Sequence, residues 1–283
     1  MTTNDQQFHS WIGNTETAED HISTAPLLAM AAMLDRDPLA AADPIPPLWH
    51  WLYFLNPARQ SQIAADGHPR KGGFLPLIDL PRRMWAGSRI QFHQPLLAGD
   101  SIQRKSEILS ITTKQGRSGQ LAFVCVGHSL STDRGLALYE EHDIVYRSPQ
   151  DKNASAAADI PAPDDKDFAR TVSPDPVMLF RYSALTFNGH RIHYDREYAT
   201  ETEGYGGLIV HGPLLATLLL DVLLENLPQA RVEKFEFRAI KPVFDLEDFQ
   251  VCGKKPDSNN DCELWIRDSS GSLCMRATAT VVV

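Results

Sequence analysis

Apolar residues fall into two successions of the same kind along the chain, helical spacing first and alternating spacing afterwards. Ala25 to Leu34 carries Leu27, Met30 and Met33 at helical intervals, with Ser23 or Thr24 available as a cap. Pro44, Pro46 and Pro47 then lead into Leu48-Trp-His-Trp-Leu-Tyr-Phe-Leu55, which predicts a strongly apolar helix with prolines at its start. Four strand-like runs follow, at Ser88 to Gln94, Ser101 to Thr113, Gln120 to Ser131 and Ala137 to Tyr146. The turn signals between them are Gly99-Asp100, Gly116-Arg-Ser-Gly and Asp133-Arg-Gly.

The second succession repeats the first. Asp175 to Ala184 reads as a helix, and His211-Gly-Pro opens a long apolar helix to about Asn226. Strands are predicted at Val232–Ala239, Phe249–Lys254, Cys262–Asp268 and Leu273–Val283. Between the two successions, a stretch rich in Pro, Asp, Ala and Ser has no apolar period and reads as a linker, residues 149–168. It separates an N-terminal domain, 1–148, from a C-terminal domain, 169–283. One apolar helix before a run of antiparallel strands implies a curved sheet wrapped around that helix, an α+β arrangement. Two copies in tandem would set two such sheets side by side.

Composition narrows the setting. Hydrophobic content of 43% and charged content of 22% are those of a globular protein in water. A formal charge of −9 with no basic block argues against a nucleic-acid partner, although a local basic patch for a phosphorylated ligand stays open. The apolar run Leu214 to Leu224 is broken by Thr217 and Asp221 and falls well short of the ~20 residues of a membrane span. Met1-Thr-Thr-Asn-Asp-Gln-Gln has neither the basic start nor the apolar core of a signal peptide, so the expected compartment is the cytoplasm. Cys125, Cys252, Cys262 and Cys274 show no C-x-x-C pairing, which speaks for reduced core thiols and against a zinc site.

The chemistry concentrates in Arg181-Tyr-Ser-Ala-Leu-Thr-Phe-Asn188-Gly-His190-Arg191-Ile-His193-Tyr-Asp195, with His211-Gly212-Pro213 following some way on. A carboxamide, two imidazoles and a carboxylate share eight residues, and a second element places a histidine at the start of an apolar helix. The pairing suits addition or removal of water beside a carbonyl. It resembles the MaoC-like hydratases and dehydratases. Their signature runs roughly Gly-Asp-x-Asn-Pro-Ile-His, with a second His-Gly element at the start of a central helix. The resemblance implies a double hot dog, two tandem antiparallel sheets each wrapped around a central helix. The C-terminal copy would be catalytic. The N-terminal one, with Gly72-Gly-Phe-Leu-Pro and Leu80-Pro-Arg-Arg-Met-Trp-Ala-Gly, would be degenerate.

Alignment on the last histidine puts His193 on the family's catalytic His and Asn188 where the family usually has its catalytic Asp. Asn188 cannot take up a proton as a carboxylate does, so a two-base Asp/His mechanism is not available there. Asp195 lies two residues beyond His193; it could replace the missing acid or serve as a turn or helix cap. The wording of the motif is closest to family members that hydrate mesaconyl-C4-CoA (3-methylfumaryl-CoA) or itaconyl-CoA to citramalyl-CoA. It is also similar to the hydroxyacyl-thioester dehydratases of mitochondrial fatty-acid synthesis. The resemblance implies a hydro-lyase with no cofactor and no metal, coenzyme A being part of the substrate, and leaves homodimerisation open.

Hydration of an α,β-unsaturated thioester needs a base for the water, donors for the developing enolate oxygen and a proton for the α-carbon. A histidine titrates in the right range for capture and return, which makes His193 the candidate shuttle, while Asn188 could hold the water or the carbonyl. Gly212 permits close approach at a helix N-terminus, whose unpaired amides suit an oxyanion; Pro213 has no N–H, so the donors are Gly212 and Leu214. His190 and His211 either line the pocket or are held by backbone contacts. Arg181, Arg191, Arg82 and Arg83 are candidates for the free carboxylate of a dicarboxyl substrate, and Arg70-Lys71 for the phosphates of coenzyme A. Trp49, Trp51, Tyr53 and Phe54 are expected to fill the core of the first sheet, or in part to wall the acyl tunnel. A fatty-acid dehydratase predicts instead a long apolar tunnel without arginine at its end. An acyl-CoA thioesterase or binding protein predicts attack on the thioester carbon or no chemistry.

Overall fold

The most apolar segment of the chain forms the helix around which the C-terminal half is built. It is α3 (Gly212–Asn226), in which Leu214 to Leu220, Val222 and Leu223 are all buried. A helix apolar on every face has no stable place at a surface, so the strands close around it. Its half-buried carboxylate, Asp221, is neutralised from two sides. Arg36 grips it with two hydrogen bonds of 3.0 Å, and Arg170 reaches it at 2.6 Å. Glu225, one turn on, takes both arginines at 3.1 Å.

The computed structural model describes residues 8–40, 43–116, 119–148 and 159–282. Its strands are β1 (Thr15–His21), β2 (Arg82–Phe92), β3 (Ser101–Gly116), β4 (Gly119–Thr132), β5 (Gly135–Arg147), β6 (Phe168–Val172), β7 (Arg231–Ala239), β8 (Phe249–Gly253), β9 (Asp261–Arg267) and β10 (Leu273–Val282). Two further helices follow the edge strands, α1 (Thr24–Met33) after β1 and α2 (Pro176–Leu185) after β6. All ten strands join in one antiparallel sheet of order β1-β3-β4-β5-β2-β7-β10-β9-β8-β6. The order reads the same from either edge once each strand is matched to its counterpart in the other half. The halves are therefore two copies of one unit, joined edge to edge through β2 and β7.

Neither edge strand is predicted from the chain: β1 is polar and mostly exposed, and β6 is only five residues long. The core of the expected linker, residues 149–158, and the turn residues Arg117 and Ser118 lie outside the described residues.

One predicted element does not form. Instead of a helix over 48–55 there is a single 3-10 turn, Trp49–Leu52. Leu48 takes a left-handed φ of 72° and Phe54 one of 57°, so the helical path is broken on both sides. The prolines before it and Asn56-Pro57 after it favour the same outcome. The concave face of the N-terminal sheet is consequently not filled by a long helix. A cavity of about 900 Å³ lies over it and extends to the start of α3 at Pro213.

The seam between the halves is tight. Gly87, at a bulge in β2, pairs with Arg238, and a Cβ there would come within 2.3 Å of the Phe237 carbonyl oxygen. Gly87→Ala is expected to destabilise the protein by about 2–3 kcal/mol, as overpacking against backbone does. Gly206→Ala, whose Cβ would meet nothing closer than 4.0 Å, should stay within about 0.5 kcal/mol. Urea denaturation of the two variants against the parent measures both.

Candidate active site

Two short segments meet at the N-terminus of α3. Helix α2 ends at Leu185, and the chain reverses through Phe187, whose φ is 50°. The Asn188 amide then donates to the Ser183 carbonyl at 2.8 Å. Asn188 Oδ1 accepts from the His190 amide at 3.0 Å, which leaves its NH2 as the group it can offer to the cavity it lines. A 3-10 turn, Arg191–His193, carries the next imidazole inward, and His193 is only 7% exposed.

The protonation pattern of His193 follows from one contact. Its Nδ1 lies 2.7 Å from the Ile209 carbonyl oxygen, which can only accept, so Nδ1 carries the hydrogen and Nε2 keeps the lone pair. Burial holds the ring's pKa down to about 4, against the smaller opposing effect of the Ile209 carbonyl, and the ring is neutral at pH 7. Its face stacks on His211 at 3.7 Å between centroids. His211 is fully buried, bonded through Nε2 to Ser183 Oγ at 2.8 Å, and burial keeps it neutral as well. Directly after it come Gly212 and Pro213, the first residues of α3. A Cβ at Gly212 would meet no atom within 4 Å, so open space adjoins the helix start. The first amides of a helix have no partner within it, which makes this end a donor site for an anionic oxygen.

A third segment comes from the other half of the molecule, and sequence reasoning did not find it. Ala65-Asp66-Gly67-His68 reads only as a turn, because nothing along the chain shows that it crosses to residues 188–191. The contact is made at backbone level: Arg191 N donates to the Asp66 carbonyl at 2.9 Å, and Arg191 Nη1 to that of Ala65 at 3.1 Å. Gly67, at φ 90°, lies so close to the Gly189 carbonyl oxygen that a Cβ would sit 1.8 Å from it. His68 consequently packs on His190 at 4.1 Å between ring centroids, and His190 meets His193 edge-on at 5.6 Å. Asp66 accepts from the His68 amide at 3.0 Å and from its Nδ1 at 3.1 Å. Burial by itself would raise the Asp66 carboxyl, but the hydrogen bonds from His68 outweigh it and hold the group well below the usual carboxylate range. Asp66, His68 and His190 also bring three metal-ligating atoms within 4.8 Å of one another.

The other sequence candidates are distributed unevenly. Arg191 is committed to Asp195 at 2.7 Å and lies over the Tyr198 ring. Asp195 also accepts from the Tyr198 amide at 3.1 Å, which makes it the cap of the following turn. Arg82 is held by Glu203 at 3.1 Å and stacks on Tyr205. Arg181 is exposed on α2. Arg83, by contrast, lines the cavity beside Tyr146. Arg70 and Lys71 are at the cavity wall too, with Lys71 bonded to the Leu80 carbonyl. Trp49, Tyr53 and Phe54 are buried as expected of core, and Trp51, Tyr53 and Phe54 also wall the cavity.

The far side of that cavity is polar. Inward positions of β3, β4 and β5 align Ser106, His128 and Glu140 across the sheet. Glu140 is 2% exposed and takes His50 Nε2 and Trp51 Nε1, each at 3.1 Å, with His142 Nε2 at 2.7 Å from its other oxygen. Burial opposes its charge, yet the two histidines hold the carboxyl well below its ordinary range. His128 bonds Ser106 at 2.9 Å and packs on His142, and Arg104 presents a buried Nε without a partner. The equivalent C-terminal face, beneath α3, is apolar: Phe235, Phe249, Val251, Leu264 and Ile266. The absence of a long helix over this face is what makes these N-terminal residues cavity wall.

The arrangement sets a neutral buried imidazole beside a helix start, and the chain as a whole resembles known proteins. Residues 48–245 match the family model described as hydroxyacyl-thioester dehydratase type 2. A mesaconyl-C(4)-CoA hydratase of Chloroflexus aurantiacus is 47% identical over 93% of this chain and 95% of its own. Among solved structures, a MaoC-like dehydratase from Phytophthora capsici superposes with a TM-score of 0.71 at 15% identity, covering 95% of each chain. A Mycobacterium tuberculosis protein described as a double hot dog gives 0.56 at 13% identity, over 96% of each. The chain belongs to the MaoC-like, hydroxyacyl-thioester dehydratase type 2 family of double hot dog hydro-lyases.

Proposed function

We propose that the protein adds water across the double bond of a short branched dicarboxyl-CoA thioester, mesaconyl-C4-CoA or itaconyl-CoA, giving citramalyl-CoA in the cytoplasm. The observation that carries this reading is the polar far side of the cavity. A fatty acyl chain calls for an apolar tunnel. Here the wall instead offers Arg83 and Arg104, guanidinium groups suited to a carboxylate. The 47% identity to a mesaconyl-C(4)-CoA hydratase supports the same substrate. In mesaconyl-C4-CoA the free carboxylate sits on the β-carbon, the atom that takes the hydroxyl group.

With mesaconyl-C4-CoA, whose double bond is conjugated with the thioester, His193 Nε2 removes a proton from water as its oxygen bonds to the β-carbon. The π electrons move toward the thioester carbonyl, whose oxygen gathers charge in front of Gly212 and Leu214 at the start of α3. Asn188 holds the water or the carbonyl through its NH2 without titrating. Gly212 is thereby an oxyanion donor, and Arg83 is the one of the four sequence-selected arginines with access to the acyl group. Longer 3-hydroxyacyl thioesters are the second reading, favoured by the family model and by two more distant yeast relatives of the same description.

Loss of enoyl absorbance without release of free thiol is the expected signature, since hydrolysis of the thioester would liberate coenzyme A. With mesaconyl-C4-CoA, kcat/KM should exceed that for crotonyl-CoA by at least about 100-fold, because buried donors reject an analogue that leaves them unpaired. The opposite preference would favour the fatty-acid reading. His193→Ala should lower kcat by at least about 100-fold with an unchanged circular dichroism spectrum. The low pKa of His193 also sets the acid limb of activity. The base works when deprotonated, so kcat/KM should hold from pH 7 down to about pH 5 and fall only as pH approaches 4. A fall centred near 6.5, the value of an unperturbed histidine, would count against it.

A further inference from the structure

Hydration moves two protons, one off water and one onto the α-carbon, and the motif supplies one titrating group for both. Asn188 stands where a carboxylate would share the work, and Asp195 is occupied by Arg191 and the Tyr198 amide. His193 has one free nitrogen, and its ring is almost wholly buried. His68 does line the cavity, on the same side as Asn188 and Pro213, whereas His50, His128 and His142 belong to its far wall.

Resting on the hydratase reading above, we propose that Asp66 and His68, carried by the N-terminal half, complete the acid–base machinery. His68 delivers the proton to the α-carbon, and Asp66 is its positioning residue. Four observations converge. The Gly67–Gly189 contact and the Arg191–Asp66 hydrogen bond fix this loop against the catalytic one. The Asp66 carboxylate accepts from Nδ1 of His68, so Nε2 is the nitrogen turned to other use. The same carboxylate offers a counter-charge to a ring holding two protons, whereas His193 and His211 have only a carbonyl and a hydroxyl as hydrogen-bond partners. Finally, His190 touches both His68 and His193, and the charge of His68 is close enough to weaken proton binding at His193. A carboxylate thus stands behind one imidazole and a neutral carbonyl behind the other, an arrangement suited to an acid and a base.

The step balances as follows. Water loses a proton to His193 Nε2 while its oxygen bonds to the β-carbon, and the carbon–carbon π pair becomes the enolate of the thioester. The enolate's α-carbon then takes the Nε2 proton of the His68 imidazolium, restoring the carbonyl. His193 ends protonated and His68 neutral, and one proton passes from the first to the second, through His190 or solvent, to reset the site. Dehydration is the same sequence reversed.

The test uses the full chain with mesaconyl-C4-CoA and follows kcat and KM for the parent, His68→Gln and Asp66→Asn. His68→Gln should lower kcat about 100-fold and change KM less than about threefold. Asp66→Asn, nearly isosteric and therefore gentler on the loop, should cost about 10-fold in kcat with KM likewise within about threefold. A His68→Gln enzyme within threefold of the parent in kcat, or one impaired only through KM, overturns the proposal. So does activity lost on dialysis against EDTA and restored by zinc, which would reassign Asp66, His68 and His190 as a metal centre. A parent enzyme that hydrates no enoyl-CoA fails the functional reading instead, and a parent that hydrates while His68→Gln is unaffected leaves that reading standing.

Discussion

Two concave sheet faces share one full-length helix, and this shortage organises the molecule. In the C-terminal half α3 fills the curvature of β7 to β10 with Leu, Val and Ala side chains, and the face beneath it is correspondingly apolar. In the N-terminal half the prolines and the left-handed Leu48 confine the equivalent segment to one turn. The space is left to ligand, and the residues facing it are released from the requirement to be apolar. Division of labour between the copies thus begins with backbone geometry at one residue pair, Leu48 and Phe54, rather than with any catalytic side chain.

The electrostatics follow from that division. A carboxylate as buried as Glu140 is costly unless paired, and two histidines and an indole N–H meet it. The four imidazoles from His68 to His211 form a contiguous row of ring contacts, yet His190, His193 and His211 are each kept uncharged by burial. Neutral rings can stack at 3.7 Å where charged ones would repel. Burial here sets both the packing and the proton affinity.

Much of this was legible along the chain. Periodicity located α3 and four strands in each half, and the spacing of Asn188, His193 and Gly212 located the motif now found at one helix start. The apolar run 48–55 misled because a helix and a broken turn bury the same residues, and only φ at Leu48 and Phe54 separates them. His68 and Asp66 were invisible for another reason: their significance lies in a contact with Gly189 and Arg191 more than a hundred positions away, and a turn motif is silent about what it touches. Arg82 and Arg191 looked available as cations, but each already has a carboxylate partner, a fact that pairing alone reveals.

The contact between Gly67 and Gly189 has an evolutionary corollary. With backbone pressed on backbone and no side chain between, neither loop can lengthen, shorten or acquire a Cβ unless its counterpart changes in step. A duplicated gene usually frees one copy to drift. Here the copy that gave up its helix stays tethered to the other by a pair of residues with no side chains, and mutation in either half is judged by the fit of both.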